Sequence, residues 1–310
     1  MAFKRLFAAA SAYLLLATVS ISRCQAQQQA YQLLDDDLPG LTPKVFAPDR
    51  IAPNSEFVGY GDFDPATGDF YYSITNDKWF PNRLYRISPN GKPEQLSLVS
   101  ELWEGEPAFT PKGNLVMTAV KDPGEGKQWQ ADLYQLRRDD KSWQTPHPLS
   151  GLINSPASEW KASFSRNGNV YFSSERKEGT SSLHGDIHKA YWNNGQFEKV
   201  EELPPGINTK YNDSDPLIAP DESFLIFHSN RPGGHGEHDL YVSFATSTGW
   251  STPQNLGADI NSDGWEMAPV LTSDGKYLMY TWRQAMETTI PSQIRWVSME
   301  AVYKLKPADN

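Results

Sequence analysis

The feature that most constrains this chain is a repeat. An apolar residue, a turn rich in Pro, Asp, Asn or Gly, and an alternating aromatic-rich run recur five times. The copies are Phe63-Asp-Pro-Ala-Thr-Gly-Asp-Phe-Tyr-Tyr72, Phe109-Thr-Pro-Lys-Gly-Asn-Leu-Val-Met117, Phe164-Ser-Arg-Asn-Gly-Asn-Val-Tyr-Phe172, Ile218-Ala-Pro-Asp-Glu-Ser-Phe-Leu-Ile-Phe227 and Leu271-Thr-Ser-Asp-Gly-Lys-Tyr-Leu-Met-Tyr280. Turn chemistry between runs of period two predicts a β-hairpin in each. The turn residues Gly68, Gly113, Gly168, Glu222 and Gly275 are spaced 45, 55, 54 and 53 residues apart. A second run, centred on Leu84, Leu133, Ile187, Leu240 and Ile294, drifts with them at 49, 54, 53 and 54. Short third runs follow, as in Trp143-Gln-Thr-Pro146, Phe197-Glu-Lys-Val200 and Trp250-Ser-Thr-Pro-Gln-Asn-Leu256, giving about four strands per unit.

Four-strand units at this period predict an all-β fold, a five-bladed β-propeller with four-stranded antiparallel blades. A β-sandwich is the alternative, but its strands need not repeat in sequence, and the repeats number five rather than the six of a larger ring. The run from Leu41 to Ile51 is similar to Ser251-Thr-Pro-Gln-Asn-Leu-Gly-Ala-Asp-Ile260 at the end of the fourth repeat, yet no repeat precedes it. It is predicted to be the outer strand of the last blade, joining the chain ends into a ring. Domain boundaries follow: a signal peptide over 1–26, a flexible leader over 27–40, one propeller over 41–307 and a tail over 308–310.

The signal peptide is read from Lys4 and Arg5, an apolar stretch from Leu6 to Val19, and the small-x-small pattern Cys24-Gln25-Ala26. The stretch is too short to span a bilayer, so no membrane span is expected and the mature protein is placed in the periplasm or outside the cell. Lipid anchoring at Cys24 is the alternative, for which Arg23 is a poor fit. Removing 1–26 leaves 25 basic against 38 acidic residues, a net charge of −13, and no cysteine. Such a balance argues against nucleic acid as a partner; a monomer is the default.

The segments Asn212-Asp-Ser-Asp-Pro-Leu-Ile-Ala-Pro-Asp-Glu-Ser-Phe-Leu-Ile-Phe-His-Ser-Asn-Arg-Pro-Gly-Gly234, Asp239-Leu-Tyr-Val-Ser243, Gly249-Trp-Ser-Thr-Pro-Gln-Asn-Leu-Gly257 and Ser273-Asp-Gly-Lys-Tyr-Leu278 resemble the WD-like β-propeller repeats of the TolB type, over roughly residues 41 to 306. The resemblance implies a bacterial envelope or secreted protein, with a protein-binding platform as the family's best-known role. Gly61 and Ala162 stand where the family pattern has proline.

Five residues before the first apolar residue of a repeat stand Glu104, Glu159, Asp213 and Glu266, with Glu56 a shifted candidate in the first blade. This is a ring of carboxylates. Glu104 with Glu106, and Asp213 with Asp215, share a strand face if the strand is regular. Aimed at the channel mouth they form an oxygen cage suited to Ca²⁺ or a cationic ligand; the competing and favoured reading pairs each with a following basic residue, Lys121, Arg176 or Arg231. No protein-held cofactor or transition metal is expected. His184, His235 and His238 lie in neighbouring loops, and His188 follows His184 at a spacing that suits a metal only on a helix. Motifs for a nucleophile elbow, zinc protease, phosphate loop or dinucleotide are absent, and Ser181-Ser182 near His184 reads as a polar loop. Trp79, Phe80, Trp103, Trp129, Trp160, Trp192 and Trp265 fall outside the hairpin cores, as blade packing or as a recognition surface. The expected function is an exported binding or scaffolding module of the cell envelope that recognises a protein or saccharide through loops at the channel mouth. The alternative is a glycan- or lactone-cleaving hydrolase using central carboxylates, for which acid and base need unlike surroundings.

Overall fold

The structure, a computed structural model, describes residues 37–51, 57–76, 82–99, 102–121, 130–139, 142–176 and 185–307. The segment predicted to be a signal peptide, with Cys24, and Glu56, Trp79, Phe80, Trp129, Ser181, Ser182 and His184 lie outside the described residues. Strand β1 is Lys44–Val45, followed by the one-turn helix α1, Pro48–Ile51. The first blade is β2 (Phe57–Phe63), β3 (Phe70–Thr75), β4 (Arg83–Ile87) and β5 (Glu94–Gln95); the second is β6 (Leu102–Phe109), β7 (Leu115–Lys121), β8 (Gln130–Leu136) and β9 (His147–Pro148). The third is β10 (Glu159–Phe164), β11 (Val170–Ser174), β12 (Asp186–Asn193) and β13 (Gln196–Glu202). The fourth is β14 (Asp213–Ile218), β15 (Phe224–Ser229), β16 (Asp239–Thr246), β17 (Gly249–Trp250) and β18 (Gln254–Asn255), where β17 and β18 both pair with β16. The fifth is β19 (Trp265–Leu271), β20 (Tyr277–Arg283) and β21 (Gln293–Ser298), and helix α2, Glu300–Tyr303, follows it. The first strand of each blade packs beside the first strand of the next, which places the five of them around the axis.

The fifth blade borrows its outer strand from the start of the chain. Lys44 pairs with Trp296 and Val45 with Arg295, and the Phe46 amide donates to the Ile294 carbonyl at 2.8 Å. The strand is shorter than the run that predicts it, because Pro48 opens α1 and takes the chain out of the ladder. Phe46 then locks the joint: it is fully buried against Phe63, Phe70 and Trp296, with ring centroids 6.1, 5.3 and 5.1 Å away. The outer strands elsewhere are also brief. Trp143 forms a bridge to Arg138 and precedes β9 rather than belonging to it.

Apolar clusters fill the spaces between blades. Phe172, Val170 and Ala162 of the third blade meet Val116 and Leu133 of the second, while Leu278 and Val297 of the fifth meet Ile226 and Leu240 of the fourth. Each inner strand is bulged at one equivalent place. The pairing slips between Gly59 and Asp62, Gly105 and Ala108, Trp160 and Ala162, Ser214 and Leu217, and Met267 and Val270. The inserted residues are Tyr60, Glu106, Lys161, Asp215 and Ala268, and all five take the left-handed conformation, with φ of 48°, 52°, 33°, 52° and 51°. That conformation is costly for a side chain with a Cβ. Its recurrence in every blade makes it part of the architecture. Proline follows the bulge in three blades, where no ladder donor is needed. Gly61 follows in the first, where a Cβ would stand 2.1 Å from Phe70 Cζ.

Candidate functional site at the propeller axis

The four carboxylates of the repeat ring hold the crossings between blades. Glu159 accepts the Ser155 amide at 2.9 Å and the Ser155 hydroxyl at 2.6 Å. Asp213 accepts both groups of Thr209 at 2.6 Å, and Glu266 accepts the Ser262 amide at 3.1 Å and hydroxyl at 2.6 Å. In each case the donor lies four residues upstream, so the carboxylate ties the incoming loop to the inner strand. Arg176 reaches Glu159 at 3.2 Å and Arg231 reaches Asp213 at 2.6 Å. Both guanidinium groups also donate to loop carbonyls, Arg176 to Ile153 and Arg231 to Ile207. Glu104 instead accepts the amides of Leu98 and Val99, and its buried Oε2 has no hydrogen-bond partner among the described residues. Lys121 is exposed and forms no pair with Glu104 among the described residues. Burial raises the carboxyl of Glu104, and that of Glu266 to about 7.

Two residues further on, the bulge separates what regular strand periodicity would align. Glu104 goes to its loop, whereas Glu106 goes to the axis. There it meets a group from a blade that is not its neighbour as well as groups from blades that are: Glu106 and Asp215 feel one another's charge, Tyr60 feels both, and Lys161 lies in the field of Asp62, Asp215 and Glu106. Residues on four different blades interact mutually only near the axis. Glu106 Oε2 accepts the Thr118 hydroxyl at 2.5 Å and the Lys161 amide at 2.7 Å. Asp215 Oδ2 accepts the Ala268 amide at 3.0 Å and lies 3.3 Å from His228 Nδ1. Tyr60 Oη lies 3.9 Å from Met267 Sδ.

A second ring supports the first. Ser73, Thr118, Ser173, His228 and Thr281 occupy one position on the second strands, opposite Gly59, Gly105, Trp160, Ser214 and Met267. The bulge amides of Tyr60, Glu106 and Asp215 donate to the hydroxyls of Thr281, Ser73 and Ser173, at 3.1, 3.1 and 2.9 Å. The amides of Lys161 and Ala268 donate instead to the Glu106 and Asp215 carboxylates. His228 is the exception in this ring. Its Nδ1 lies beside Asp215, yet among the described residues neither ring nitrogen makes a well-formed hydrogen bond, nor does Nδ1 of His238, whose ring lies 4.9 Å from it. His238 stacks in turn on Trp265 at 4.2 Å.

The axial groups differ in protonation. Desolvation, with the nearby Asp215 charge, pushes the Glu106 carboxyl up to about 7, and desolvation pushes Asp62 to about 6. Asp215 is held below its ordinary range by His228 and Lys161 against the desolvation that would raise it. Desolvation lowers His238 to about 3, and it also lowers Lys161, against the three carboxylates. Among the described residues no group of three His, Cys, Asp or Glu is arranged to hold a metal ion. His235 is exposed, its amide bonded to Asp239, and His188 is bonded to the Asp186 carbonyl. Phe57, Trp103 and Trp265, three residues before the bulge in their blades, are half-buried, as are Trp160, bonded to Glu175, and Trp192, packed on Phe197.

Aligning the repeats yields the tie ring because its chemistry is constant. Reading the same alignment two residues on yields Tyr60, Glu106, Lys161, Asp215 and Ala268, which share no chemistry, so a search for similarity passes over them. The signal was variation at a fixed place.

No protein-family model and no curated protein matches the chain. Among solved structures it is similar to a putative TolB from Agrobacterium tumefaciens, at 16% identity and TM-score 0.49 over 79% of this chain and 78% of that one. It is similar to an α-L-arabinofuranosidase from Lactobacillus brevis, at 11% identity and TM-score 0.47 over 79% of this chain and 92% of that one. It also resembles hydrazine synthase from Kuenenia stuttgartiensis, at 12% identity and TM-score 0.50 over 74% of this chain and 36% of that one. At such identities the likeness is one of fold alone.

Proposed function

We propose that the chain is an exported binding propeller of the cell envelope that takes a saccharide at its axial channel. One observation carries this reading: a position that the architecture requires only to be bulged holds Tyr60, Glu106, Lys161, Asp215 and Ala268. Glu106 and Asp215 each give one oxygen to the next blade's bulge amide, but Ala268 makes the same bulge with no polar group, so the phenol of Tyr60 and the ammonium of Lys161 are not needed for the ring. Carboxylates, a phenol and an ammonium converging on one point recognise a ligand rich in hydroxyls. Calorimetry against a panel of oligosaccharides tests it. Binding by the wild type that is lost in Glu106→Gln and Asp215→Asn, with Glu159→Gln binding as the wild type does, is the expected result. Equal binding by all the variants rejects it.

A second reading is favoured by the unlike environments of Glu106 and Asp215. A carboxyl that keeps its proton to about pH 7 facing one held ionised is the division of labour that a general acid and a general base need. Turnover of a glycan or lactone, abolished in both variants, would convert the binding module into a hydrolase.

A further inference from the structure

Lys161 is the axial residue whose presence the fold explains least. It is 1% exposed and sits in a left-handed conformation that its side chain does nothing to relieve. Among the described residues no hydrogen bond or ion pair engages its Nζ. Its counterpart Ala268 shows that the bulge closes without it, and a buried ammonium without a direct partner is destabilising. Desolvation favours the neutral amine, which is the nucleophilic form. An acid is held on the same residue: the Glu106 carboxyl accepts the Lys161 backbone amide at 2.7 Å, and burial keeps its proton close to neutral pH.

We infer that Lys161 forms a reversible imine with an aldehyde or ketone drawn into the channel, such as the open-chain form of a reducing sugar. The inference rests on the reading of the axis as a ligand site and deepens it. The amine nitrogen attacks the carbonyl carbon, the C=O π bond opens, and the oxygen takes the Glu106 proton to give a carbinolamine. The nitrogen then returns a proton to Glu106. Loss of the hydroxyl with a further proton as water leaves the C=N bond, so that one carbonyl and one amine give one imine and one water. Reversal by water releases the ligand, and no oxidant or reductant is required.

Reductive trapping tests this on the full chain. The protein is incubated with glyceraldehyde and cyanoborohydride, and peptides are followed by mass spectrometry over time. The expected result is that Lys161 is modified at least about tenfold faster than the exposed Lys112, Lys121 and Lys210, reversing the order that burial alone would give. Glu106→Gln is expected to slow modification of Lys161 while leaving the exposed lysines unchanged. Modification of Lys161 no faster than that of the exposed lysines overturns the inference, and the wild-type time course decides this without a variant. If oligosaccharides bind while Lys161 stays unmodified, the imine is rejected and the saccharide site stands; if neither occurs, both are rejected.

Discussion

Two rings of side chains lie two residues apart on the same inner strands, and they obey different rules. Glu104, Glu159, Asp213 and Glu266 are all carboxylates, and each is engaged by donors from its own blade crossing. Tyr60, Glu106, Lys161, Asp215 and Ala268 share one backbone conformation and no chemistry. Constancy in the first ring reflects a mechanical task that four of the five blades repeat, Val58 standing at that place in the first. Diversity in the second is what a site on a symmetric scaffold requires, because five equal groups around an axis cannot tell one end of a ligand from the other.

The contrast is sharpest in stability. Asp213→Ala strips the fully buried carboxylate from Arg231 and from both donors of Thr209, and is expected to cost about 4 kcal/mol in urea unfolding. A loss below about 1 kcal/mol would show the ties to be dispensable. Gly61→Ala tests the bulge itself. The new methyl meets Phe70, whose ring is held by Phe46 and Phe63, and about 3 kcal/mol of stability should be lost. The axial ring is expected to speak through pH. The folded chain keeps the Glu106 proton up to about 7, whereas the unfolded chain releases it near the ordinary 4.5. Stability therefore falls as pH rises across that window, by up to about 1.4 kcal/mol per unit from this group. Glu106→Gln removes this share of the slope and leaves the shares of Asp62 and Glu266, so urea titrations at pH 5, 6 and 7 should show a shallower fall than in the wild type. Asp215, shifted the other way, contributes above its ordinary 3.8 and loses its contribution as pH falls below it. The smallest effect is expected from Lys161→Met, within about 1 kcal/mol of the wild type in thermal unfolding. A larger loss would move Lys161 from the site to the scaffold.

The hairpin turns and their period place five blades, and the copy of the fourth repeat's end at Leu41 to Ile51 places the closure. Both are legible because each blade must solve the same packing problem, so apolar spacing repeats. The extent of the closing strand was not legible: it depends on where Phe46 finds a socket among residues more than 200 positions away in sequence, at Trp296. The pairing of Glu104 with Glu106 on one face was an expectation from period two, and a bulge that neither propensity nor turn chemistry announces undid it. Only proline at 107, 216 and 269 hints at the irregularity, and Gly61 and Ala162 hide it in the other two blades. His228 illustrates the remaining gap. In isolation it is a strand histidine, and it becomes informative only once Ser73, Thr118, Ser173 and Thr281 are seen at the same register.

The joint between β1 and β21 bears on how the ring can assemble. The hairpins within each blade link residues close in sequence and close quickly, but Lys44 must find Trp296 across nearly the whole chain. The entropy of closing so long a loop weighs on the fifth blade more than on any other. A chain in which Phe46 is out of its socket leaves Ile294 and Trp296 on an open sheet edge, the kind of edge to which another chain can pair.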